Sequence, residues 1–114
     1  MKIVCAFAAA GSIIISTMWV VAAEEAVLGQ GNVSCRTWSS DRDSSEASGR
    51  VAWVLGFITA FHQYGSRPER DISSGSSTEQ ITEAVDDHCA QHPSDNVYGA
   101  AVAVIEDYKR TREQ

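Results

Sequence analysis

Fourteen consecutive residues, 51–64 (VAWVLGFITAFHQY), form the one long stretch that is apolar on more than one face. At 3.6 residues per turn, Val51, Val54, Leu55, Ile58 and Phe61 fall on one stripe of a helix. Trp53, Phe57, Ala60 and Tyr64 fall on a second stripe beside it. Ala52, Gly56, Thr59 and Gln63 make the remaining face, where another backbone can come close. A helix that apolar must be surrounded by protein. The stretch is therefore expected to be the central helix of a small all-α core, and it is too short to span a bilayer, which takes about 20 residues.

Residues 1–23 read as a removable secretory address. Lys2 supplies the basic end, an apolar run follows through Val20 and Val21, and Val21-Ala22-Ala23 is a small-residue exit, which places cleavage before Glu24. The alternative is an anchor that stays in the membrane; after cleavage no membrane contact is expected. Removing 23 of the 114 residues leaves 91, a single domain with a marginal core. Cys5 leaves with the address, so Cys35 and Cys89 remain, and two cysteines allow one intramolecular pairing. A periplasmic or secreted location favours that bond, and closing a loop of about 55 residues stabilises by roughly 4 kcal/mol. A reactive thiol at Cys89 is the competing reading.

Charge argues against nucleic acid. Without Lys2 the chain holds eight Lys/Arg against fifteen Asp/Glu, a net of −7, and no basic run is interleaved with aromatics. Lys109, Arg110 and Arg112 are read as the basic end of a helix, favoured there by its dipole.

Residues 24–33 are expected to be a flexible leader and 34–114 one helical domain. Residues 32–38 bring Cys35 and Trp38 together in an extended or turn segment, with Trp38 covering the disulfide. Asn32-Val33-Ser34 also matches a glycosylation sequon, a short match that depends on the host. Asp41, Asp43, Ser44 and Ser45 are candidate caps for the central helix, and Gly65 is its stop. Residues 65–77 (GSRPERDISSGSS) form a surface loop whose Arg67, Glu69, Arg70 and Asp71 are candidate partner contacts, or simply solvated charge.

Ser77 with Gln80 three residues on reads as a capping box opening a second helix, with Ile81, Ala84, Val85 and His88 inward, Cys89 at the stripe's border and Asp86 and Asp87 in water. His92-Pro93 ends it, because a residue before proline avoids the helical region. A third helix is expected from Ser94 or Asp95, with Val97, Ala100, Ala101, Val104, Ile105 and Tyr108 on its inner face.

Candidate chemistry is sparse. His88 and His92 stand four apart, a spacing that can place two imidazoles on one metal. A paired Cys89, the break at Pro93 and the lack of a third ligand point instead to a hydrogen-bonded core histidine. A thiol enzyme would need a free Cys89 beside an oriented base. No nucleophile elbow, phosphate loop or dinucleotide fingerprint occurs in the chain. The reading is a non-enzymatic binding domain with no cofactor, no metal and no catalytic residue.

The order Ser34-Cys35-x-Thr37-Trp38, then Trp53-Val54-Leu55-Gly56-Phe57-Ile58, then Cys89-x-x-His92-Pro93 before an alanine-rich final helix resembles the Rap/Tai family of small exported proteins. That family includes immunity proteins against amidase toxins delivered by type VI secretion. The resemblance covers nearly all of the chain after the address, although Arg36 stands where the commoner form of the first motif has glycine. It implies a small helical domain of three or four helices tied by Cys35–Cys89, and a protein partner such as a cell-wall hydrolase effector, or a second copy as a homodimer. A weaker similarity is to HdeA-type periplasmic acid chaperones. Under that reading, protonating every carboxylate and His62, His88 and His92 carries the charge from −7 to +11, and self-repulsion loosens the fold.

Overall fold

The computed structural model describes residues 26–65 and 73–114; the address at 1–23 lies outside them. The described chain is all-α. A 3-10 turn at Gly29–Asn32 precedes four helices: α1 (Cys35–Ser40), α2 (Ala47–Tyr64), α3 (Thr78–Gln91) and α4 (Val97–Arg112), with no strand among the described residues. A Cys35–Cys89 disulfide ties the first helix to the third.

Local chemistry explains where each helix begins. Ser77 and Gln80 form the expected capping box. The Ser77 N–H donates to Gln80 Oε1 at 2.8 Å, and the Gln80 N–H donates to Ser77 Oγ at 3.2 Å. Asn96 caps α4 by accepting from the Gly99 N–H at 2.8 Å, so that helix starts at Val97, slightly later than expected. Residues 32–38 are not extended throughout. Ser34 accepts from the Thr37 N–H at 3.1 Å and opens α1 at Cys35, a short helix held by its cap and by its covalent partner. α2 begins at Ala47, past the four candidate caps, with Glu46 at the cap position making no side-chain capping hydrogen bond. Gly65 ends it by leaving in an extended conformation.

The core is built from two regular stripes. Val97, Ala100, Ala101, Val104 and Ile105 follow the i, i+3, i+4 pattern of one helix face and are all buried. Ile81, Val85 and Cys89 recur every four residues along α3 and are buried opposite them. Cys89 thus sits inside the core, not at its border: pairing with Cys35 rotates the α3 stripe to put the sulfur in the middle. α4 packs against α1, α2 and α3. α2 contributes Val54 and Ile58 to the buried cluster, with Val51, Leu55 and Phe61 partly buried around them. The second stripe is covered only in part. Trp53 and Phe57 are half-buried, Ala60 is exposed and Tyr64 is 88 % exposed; among the described residues the leader and α4 pack against α2 on that side.

One cation is also inside. Arg50 is 6 % exposed and reaches Asp41 through Nη2 at 3.3 Å, tying the first turn of α2 to the end of α1.

The disulfide joins cysteines separated by 54 positions in sequence, and on the chain-entropy model its loss costs about 4 kcal/mol. A Cys35→Ala/Cys89→Ala double variant is therefore expected to unfold at much lower denaturant concentration than the oxidised protein. Equal midpoints in urea would show that the bond adds nothing to this fold.

Candidate functional site

Two constellations meet around the disulfide. Cys35 and Cys89 have their Cα atoms 4.7 Å apart, and both side chains are buried. On one side, the backbone from 33 to 35 pairs with that from 95 to 97. The Cys35 N–H donates to the Asp95 carbonyl at 2.8 Å, and the Val97 N–H donates to the Val33 carbonyl at 2.9 Å. The Asp95 side chain completes the junction. Its Oδ1 accepts from the Asn96 N–H at 2.8 Å and its Oδ2 lies 2.8 Å from His88 Nε2. Gly99 leaves room for that carboxylate, since a Cβ there would run into it.

Burial pushes the Asp95 carboxyl up, but the hydrogen bonds from His88 and Asn96 and the nearby charges of His88 and His92 outweigh it and hold the group below its ordinary value. An ionised carboxylate only accepts, so Nε2 of His88 carries the proton. The expected hydrogen-bonded histidine is thus present, with its partner on the turn after Pro93. His92 lies beside it, the two rings 4.6 Å apart.

On the other side is a cluster that sequence reasoning missed. Asp86, expected in water, accepts from Trp38 Nε1 at 2.6 Å and from Arg42 Nε at 2.7 Å, while the Arg42 guanidinium lies 5.1 Å from the centre of the Trp38 ring. Trp38 is buried in the same cluster as both cysteines. Its indole N–H needs an acceptor, and only folding brings α3 close enough to supply one. A buried tryptophan in a chain rich in aspartate was the available signal, but it named no partner.

An apolar feature of the surface among the described residues is the partly covered side of α2. Trp53 stacks on Phe57 with centroids 5.2 Å apart, Phe57 meets Phe61 at 5.1 Å, and Tyr98 of α4 stands edge-on to Phe57 at 5.5 Å. Leu28, 79 % exposed, and Tyr64, 88 % exposed, mark the two ends of this ladder. The leader runs along it: the Trp53 indole N–H donates to the Leu28 carbonyl at 3.0 Å, and Gly31 has no side chain because a Cβ there would collide with the indole. Val27, Leu28, Trp53, Phe57 and Tyr98 line a shallow cleft of about 370 Å³. Residues 51–64 contain no Asp, Glu, Lys or Arg, so this stretch of α2 brings no formal charge to the face.

Arg67, Glu69, Arg70 and Asp71 lie outside the described residues. Just beyond them, Ser73 Oγ lies 3.2 Å from His62 Nδ1. Among the described residues no three His, Cys, Asp or Glu side chains gather to hold a metal ion, and no helix is long and apolar enough to cross a membrane. Cys89, the thiol that a cysteine mechanism would use, is bonded to Cys35. Compared with known proteins, the chain matches no family model, no curated protein and no solved structure.

Because the folded carboxyl of Asp95 sits below its unfolded value, it contributes stability that is present above about pH 4 and is lost as pH falls through the folded value. Asp95→Asn is expected to be less stable than the parent at neutral pH, and the gap is expected to narrow as pH falls below about 4. Urea unfolding at several pH values checks this; a gap independent of pH would remove the ionic contribution.

Proposed function

We propose that the protein works outside the cytoplasm, in the periplasm or secreted, as a non-enzymatic binding domain for another protein, in the manner of an inhibitor or immunity protein. The observation that carries this reading is the uncharged aromatic side of α2, from Leu28 through Trp53 and Phe57 to Tyr64. Exposed aromatic side chains on a rigid frame supply large contact area at low entropic cost, and tryptophan and tyrosine dominate the energetics of protein interfaces. The disulfide holds that frame together and suits an oxidising compartment. The resemblance to the Rap/Tai family suggests a cell-wall amidase-type effector as the partner.

The acid-chaperone reading keeps a place because Asp95 joins three chain segments and loses its charge only in acid. It predicts reversible exposure of apolar surface near pH 2–3, with suppression of client aggregation.

The decisive test is capture from a periplasmic extract at neutral pH and again near pH 3, followed by assay of any captured hydrolase with and without the protein. A stoichiometric hydrolase that the protein inhibits at neutral pH supports the inhibitor reading. Many clients bound only in acid overturn it in favour of the chaperone, and no inhibition at either pH overturns it outright. Tyr64→Ala, at an 88 % exposed position, is expected to leave stability within about 0.5 kcal/mol and to weaken inhibition tenfold or more if this face binds.

A further inference from the structure

The geometry around His88 points to a second site that the protein-binding role does not use. We propose that His88 and His92 together chelate a borderline divalent cation such as Zn2+ or Cu2+ at the C-terminal end of α3, with Asp95 orienting the first imidazole.

The two histidines are one helical turn apart, and their rings are 4.6 Å apart, so both imidazoles already occupy one small volume. The Asp95 carboxylate accepts the Nε2 proton of His88 across 2.8 Å. That bond fixes the tautomer and leaves the Nδ1 lone pair of His88 available as a ligand, the carboxylate–histidine arrangement that supports metal-binding imidazoles. His92 is exposed and can turn toward the same ion. The helix end adds a favourable field, since the unpaired carbonyls of the last turn carry partial negative charge.

Both histidines border a cleft of about 380 Å³ whose charged lining includes Asp87, Asp107 and Arg110. Arg110 would repel a cation, but it is paired with Asp107 at 2.9 Å, which leaves Asp87 as the uncompensated charge on that rim. With two protein nitrogens the remaining coordination positions belong to water or to a ligand atom from a partner, which distinguishes this site from a closed structural zinc. The sequence alone argued against a metal because Cys89 is paired, Pro93 interrupts the turn that holds His92 and no third ligand stands nearby; among the described residues no third protein ligand joins the pair. In the folded chain that same interruption brings Asp95 back onto His88.

The test is calorimetric titration of Zn2+ into the purified protein, free of any histidine tag, at about pH 7.5, with electron paramagnetic resonance of the Cu2+ form to count bound nitrogens. One saturable site with two imidazole nitrogens is expected. His92→Gln changes an exposed side chain, so thermal unfolding is expected to match the parent while affinity falls by at least about tenfold. His62→Gln is expected to bind as the parent does. Absence of saturable binding, a single coordinated nitrogen, or equal affinity in folded His92→Gln overturns the proposal. None of these results bears on whether the α2 face binds a protein.

Discussion

The fold depends on one covalent bond placed where three chain segments meet. Cys35 opens α1, Cys89 lies in the last turn of α3, and the backbone that leads into α4 crosses beside them through the Cys35–Asp95 and Val97–Val33 hydrogen bonds. A short helix such as α1 has little stability of its own in water. Fixed at its first residue by the disulfide and at its fourth by the burial of Trp38, it becomes one wall of the core. The domain is small, so its apolar burial barely exceeds the entropy of ordering the chain, and a constraint that removes unfolded conformations carries unusual weight.

The polar chemistry is organised around that bond. Asp86 and Asp95 stand on opposite sides of the disulfide and each satisfies a ring N–H, from Trp38 and from His88. Both carboxylates also hold a second donor, Arg42 in one case and the Asn96 backbone in the other. Asp86 therefore joins α1 to α3 across 48 residues while Asp95 closes the turn between α3 and α4, and each is only partly buried, so neither carries the full desolvation cost of an interior charge. The α2 side is organised differently. Its aromatic rings are held by stacking and by one indole hydrogen bond to the leader, so apolar surface there remains open to solvent.

This division separates a covalently tied half from a half with open apolar rings. The disulfide, α3 and α4 provide the frame; the exposed edge of α2 and the leader provide a surface with large rings and no charged residue from 51–64. A surface of that kind gains from contact mainly by burying area and gains little from electrostatic steering. The histidine pair lies at the C-terminal end of α3, beside Asp87, Asp107 and Arg110, where charged groups replace apolar area.

Composition and periodicity by themselves determined the helical class, the capping box at Ser77 and the inner face of α4, because each follows from spacing within one segment. Tertiary structure decided the rest. Which side of α2 is covered depended on how far α4 and the leader reach across it, a matter of packing that no helical wheel contains. The cap at Ser34 was legible in principle, yet a helix as short as α1 needs the covalent partner and the buried Trp38 to persist. Asp86 and Asp95 could not be assigned from sequence, since their partners lie 48 and 7 residues away across folded turns, and hydrogen bonds between side chains form only where the backbone has already brought them within about 3 Å.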